Sequence, residues 1–151
     1  ETVNLAVRDG DQALNVHQVR TAHIVAVTDW TGRGLPLHAT ANGKVLLAFG
    51  AGPLPRDLPR LTRKTITSRE KLRAELEQVR RSGFAVATEE LELGLHAVAA
   101  PVFDCFGACV AAASVSAPAY RLPERRLPAV GELCVAAAAD VSARLGYRRA
   151  A

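Results

Sequence analysis

Residues 95–116, LHAVAAPVFDCFGACVAAASVS, decide the fold. Two runs of small and β-branched residues flank Asp104-Cys105-Phe106-Gly107, and a four-residue turn there predicts a long antiparallel hairpin with arms over 95–103 and 108–116. In the register set by that turn, Ala97 lies opposite Ser114 and Leu95 opposite Ser116, all on one face. The other face carries Val98, Ala100 and Val102 with Ala111, Ala113 and Val115, an apolar surface suited to covering by amphipathic helices. The serine face is built from Ala97, Ala99, Ala112, Ser114 and Ser116, small side chains that leave space above the sheet. A ligand would fill that space, and so would a loop or a neighbouring subunit; spacing alone leaves these alternatives open.

Outward from the hairpin, Val3, Leu5 and Val7 alternate with polar residues. Asp9-Gly10-Asp11 then turns the chain, and Leu14 and Val16 alternate again, as in a first β-hairpin. A third strand is expected over 24–29. Thr40 is the natural N-cap of a helix with Ala41, Val45, Leu46 and Phe49 at helical spacing. Pro53, Pro55 and Pro59 make the following stretch a connector. A second helix starts at Thr67 or Ser68, with Thr67 and Glu70 in capping-box spacing, and stops at Ser82-Gly83. A short strand over 84–88 precedes the hairpin. A final helix carries Leu127, Val130, Cys134, Ala138, Val141 and Leu145. Antiparallel hairpins interrupted by a few helices predict one α+β domain over residues 1–151, with helices packed on one face of the sheet.

Composition narrows the function. Of the 151 residues, 49 % are hydrophobic, enough for one substantial core. No run is long and apolar enough to span a membrane, and the first residues do not read as a secretory signal. Three cysteines, Cys105, Cys109 and Cys134, do not read as a disulfide framework, and a reducing cytoplasm fits them. The net charge of +4 is spread over scattered arginine pairs without interleaved aromatics, unlike a nucleic-acid surface. The chain opens on a strand without an initiator Met, as expected of part of a longer polypeptide.

The candidate motifs for chemistry are weak. Gly43-Lys44 is no phosphate loop, because His38 stands where Gly is needed and Val45 where Ser or Thr is needed. His38 has no second ligand at metal spacing and reads as a hydrogen-bonded structural histidine; Cys105 and Cys109 lack the paired partners of a zinc site. Ser114 and Ser116 lack a nucleophile elbow, and Glu89 and Glu90 read as solvated loop carboxylates. No catalytic residue, metal or cofactor is predicted. The helix start at Thr40 is different: the amides of Ala41, Asn42 and Gly43 have no intrahelical partners and favour an anion, with Gly43 serving either ligand approach or close packing.

Three stretches, LPLHATANGKVLLA (35–48), GFAVATEELELGLHAVAAPVFD (83–104) and ASVSAPAYRL (113–122), resemble the effector-binding domain of the IclR family of bacterial transcription regulators. The first hairpin, ETVNLAVRDGDQALNVHQV, is similar too. The resemblance implies a GAF-like fold, a curved antiparallel sheet with helices packed on one face and on the other a cup that holds a small organic acid. It implies a DNA-binding winged helix-turn-helix ahead of this domain and absent from this chain, promoter DNA reached only through it, and homodimers or homotetramers. A GAF-like module of another signalling protein is the alternative; an enzyme is not expected. Carried over position by position, Ile24, Val27 and Leu35 form apolar walls, Ala41 and Asn42 offer backbone amides to a carboxylate, and Leu95, Ala97, Ser114 and Ser116 complete the floor. Relatives can place Asp or Cys where Ala87 and Ala97 stand here, which implies a roomier, less polar cup and an acid with an apolar or aromatic body rather than glyoxylate.

Overall fold

The computed structural model describes residues 1–19 and 29–148. Six strands, β1 (Thr2–Asp9), β2 (Gln12–Val19), β3 (Gly34–Pro36), β4 (Ala85–Thr88), β5 (Leu95–Phe103) and β6 (Cys109–Pro118), form one antiparallel sheet in the order β3-β2-β1-β6-β5-β4. The strand expected over 24–29 falls largely on residues outside those described. Three helices, α1 (Ala41–Phe49), α2 (Arg69–Ser82) and α3 (Leu127–Arg144), complete the α+β architecture.

The hairpin β5–β6 has the expected faces and a different register. Ala97 pairs with Ser116 and Ala99 with Ser114, two residues from expectation, with an irregularity between Val102 and Phe103. The connection is longer than four residues: Asp104 N–H donates to Ala108 O at 3.0 Å, and the Asp104 carboxylate accepts from the amides of Phe106 and Ala108 at 2.9 Å each. A two-residue slip leaves every side chain on its own face, whereas a slip of one would have turned the sheet inside out.

The helices divide between the two faces. Of the three helices, α3 covers the apolar face, where Leu127, Cys134 and Ala138 meet Val98, Ala100 and Val102. α1 and α2 sit on the other side: Val45, Leu46, Leu72 and Leu76 pack over Ala85, Ala87, Ala99 and Ala112. The small side chains of the serine face thus have two uses. One stretch takes α1 directly on alanines, and the rest stays open as the cup. Ser68, not Thr67, caps α2, its hydroxyl accepting from Lys71 N, so the Thr67–Glu70 capping box is not what starts the helix.

Candidate functional site: a cup at the start of α1

The cup begins with the entry into α1. Thr40 has extended backbone; its hydroxyl donates to Pro36 O and accepts from Gly43 N, each at 3.1 Å. That cap satisfies the third amide of the helix and leaves those of Ala41 and Asn42 as the donors at its positive end. Gly43 serves close packing: a Cβ there would stand 2.2 Å from Leu37 O and 2.4 Å from Leu37 Cα. Only a residue without a side chain lets α1 start directly on the 3-10 turn Leu37–Ala39.

Ala41 and Asn42 line a cavity of about 50 Å³, several times the ~10–15 Å³ that one water molecule needs. Leu35, Ala41, Asn42, Ala87, Leu95, Ala97, Ser114 and Ser116 all line it, so the structure brings eight of the ten expected positions together. Ile24 and Val27 lie outside the described residues. Trp30 and Leu91 add apolar wall, and Ala39 and Thr40 close the helix side.

Asn4 and Asn15, buried in the same wall, had no counterpart in the sequence reading. β1 lies beside β6, which puts Asn4 opposite Ser114, and its Nδ2 donates to Ser116 Oγ at 3.2 Å. Asn42 Nδ2 points to Asn15 Oδ1 at 3.4 Å. The cup is therefore more polar than expected, with the carboxamides of Asn4, Asn15 and Asn42 and the hydroxyls of Thr40, Ser114 and Ser116 in its lining. Two of its polar atoms, Asn4 Oδ1 and Asn42 Oδ1, are buried without a partner. Their signal was the parity of Thr2, Asn4 and Ala6, the buried set of β1, but the apolar alternation of Val3, Leu5 and Val7 masks it. In the structure Val3 is 42 % exposed.

Behind the cup, Lys44 is buried with its ammonium satisfied three ways, by Glu90 Oε1 at 2.7 Å, Val86 O at 2.8 Å and Glu75 Oε1 at 2.9 Å. Glu90 is thus a buried partner rather than a solvated loop carboxylate. Burial pushes its carboxyl above the ordinary 4.5, opposed by the Lys44 charge. Thr65 Oγ1 donates to Glu90 O at 2.7 Å, and Leu91, the next residue, forms part of the cavity wall. Glu89 is held below its ordinary value by its hydrogen bond from Lys64, then by the Gly94 amide.

His38 is buried with Nε2 3.0 Å from Pro59 O, a structural tie to the proline-rich connector. Burial pushes the Cys109 thiol up to about 11 and raises that of Cys134, so neither offers a thiolate nucleophile at neutral pH. Among the described residues no three His, Cys, Asp or Glu side chains converge for a metal, and no helix is long and apolar enough to cross a membrane. A second, open groove of about 440 Å³ lies between the end of α2 and Phe49, Phe103 and Tyr147. None of the described unpartnered buried atoms lines it.

One antiparallel sheet with helices on both faces and a cavity at the start of α1 defines an α+β domain with a candidate binding site. Residues 1–143 match the family Bacterial transcriptional regulator IclR C-terminal, and the chain belongs to it. It is 37 % identical to the HTH-type transcriptional regulator KdgR of Escherichia coli K12, over 97 % of this chain and 58 % of that protein. The crystal structure of the Thermotoga maritima IclR superimposes with a TM-score of 0.87 at 32 % identity, over 97 % of this chain and 62 % of that one. The inducer-binding domain of the Acinetobacter transcription factor PobR, a double mutant in complex with 3-hydroxy benzoic acid, gives 0.81 at 30 %, covering 93 % of this chain and 87 % of that one. This chain thus spans a little over half the length of KdgR, and such relatives are regulators of transcription, not enzymes.

Proposed function

We propose that this chain is the sensing part of a cytoplasmic transcription regulator and that its cup takes a small organic monocarboxylate with an apolar or aromatic body. The observation that carries the reading is that Ala41 and Asn42, the first two residues of α1, line one cavity together with Ser114 and Ser116. Partial positive charge at a helix start suits one carboxylate. Trp30, Leu35, Leu91 and Leu95 suit an apolar remainder. The aromatic acid bound by the PobR domain is the same class of ligand on the same fold.

Promoter DNA would be contacted by a winged helix-turn-helix elsewhere in a longer protein, in homodimers or homotetramers. The acid regulates by binding one arrangement of subunits better than another, since equal affinity for both shifts nothing. Thermal melting of this chain with a panel of acids tests the cup. An acid at about 100 times its Kd adds about 2.7 kcal/mol, or roughly 5–10 °C for a domain of this size. Benzoate is expected to raise the Tm more than equimolar glyoxylate, and Ser114→Val to remove most of that rise. Stabilisation by glyoxylate but not by aromatic acids contradicts the apolar body; an undiminished response in Ser114→Val moves the site elsewhere.

A further inference from the structure

We infer that the cup selects acids carrying a hydrogen-bond donor, a hydroxyl or an N–H, and that Asn4 is the residue that reads it. The inference rests on the carboxylate reading above and adds a second recognition element. Asn4 is 4 % exposed and lines the cavity, yet its Oδ1 has no partner, while its Nδ2 is engaged by Ser116 Oγ at 3.2 Å. The same pattern recurs at Asn42, whose Oδ1 is also unpartnered beside Asn15. Buried carbonyl oxygens are nearly always hydrogen-bonded in folded proteins. Two such acceptors in the wall of one cavity therefore point to a donor that arrives with the ligand.

The backbone places Asn4 for this task. β1 runs between β2 and β6, so Asn4 lies in the floor of the sheet next to Ser114, whereas the free amides belong to α1. An acid anchored on those amides meets Asn4 with its body, not with its carboxylate. An acid with a donor there supplies the missing bond, whereas one without it leaves the acceptor unpaired as it stands, a difference of about tenfold or more in affinity. A ligand carbonyl at that position would face Asn4 Oδ1, acceptor against acceptor.

Calorimetric titration of this chain with two matched series tests the proposal: butanoate, 3-hydroxybutanoate and 3-oxobutanoate, then benzoate with its 3- and 4-hydroxy and 3- and 4-formyl derivatives. In at least one series the hydroxy acid should bind about tenfold or more tightly than both the parent and the carbonyl compound. In Asn4→Leu, similar in volume and without the acceptor, that preference should vanish, with the parent acid bound at least as well as before. The comparison on the unmodified chain stands even if the variant folds poorly. Equal affinities within every series, a preference for the carbonyl acid, or a hydroxyl preference that survives in Asn4→Leu overturns the proposal. Hydroxylated amides binding as tightly as hydroxylated acids would overturn the carboxylate reading and leave the donor preference standing. Binding by no member of either series at millimolar concentration overturns both.

Discussion

Lys44→Met is expected to remove about 3–5 kcal/mol of stability at neutral pH, the largest single loss in the described residues. Methionine fills the space of the lysine stem, so the loss is electrostatic. The Glu90 carboxylate is left buried with no compensating charge, and Val86 O loses its donor. Glu75, a third exposed, turns to solvent at little cost. The deficit depends on pH with a definite sign. Without the ammonium, the folded-state pKa of Glu90, already raised by burial, moves further above 4.5. Protonation then favours the folded state, so the deficit is smallest below about pH 4.5 and grows as pH rises through the folded value. Urea titrations at several pH values measure this. Replacing Glu90 as well, in Lys44→Met/Glu90→Met, should recover most of the loss, because a buried pair exchanged for apolar side chains is near neutral. A loss under 1 kcal/mol in the single variant would mean that the pair behaves as a surface ion pair.

Gly43→Ala should cost about 1–3 kcal/mol or more, although alanine is the better helix former by about 1 kcal/mol. The new methyl would meet backbone, Leu37 O and Cα, which cannot rotate away. The first turn of α1 must lift from the Leu37–Ala39 turn, carrying the amides of Ala41 and Asn42 with it. Stability and acid binding should therefore fall together, read by melting and calorimetry on the same samples. Gly131→Ala is the control: its methyl would meet the Phe84 ring under α3, on the opposite face of the sheet. It should destabilise without weakening the acid. Acid affinity unchanged in Gly43→Ala would separate the helix start from binding.

Local pattern made α1 and the two long strands legible, because Thr40, Gly43 and the apolar spacing after them act within a few residues. Leu95, Ala97, Ser114 and Ser116 shared a face whichever even register the turn imposed. What escaped was non-local. Asn4 belongs to the cup only because β1 pairs with β6, more than a hundred residues away in sequence. The alternation around it was read from its apolar half, Val3, Leu5 and Val7, whose face turns towards α3 and solvent. The partnership of Lys44 with Glu90 joins α1 to the loop after β4. Its local sign was a single charge in ANGKVLLAF, a helix whose first eight residues are all buried. A lysine there requires an acid from elsewhere, and two candidates stood at 89 and 90. The division of helices between the two faces followed from α1 needing to reach the cup, which the apolar stripe of α3 did not reveal.

The central claim is that the helix start at Ala41 and Asn42 is where an acid is held. The most direct measurement is the amide spectrum of the ¹⁵N-labelled chain titrated with benzoate and its hydroxy derivatives. The amides of Ala41 and Asn42 should move furthest, with Ala97, Ser114 and Ser116 following at the same saturation. Saturable shifts confined to the groove of Arg81, Phe103 and Tyr147, with Ala41 and Asn42 unmoved, would contradict it.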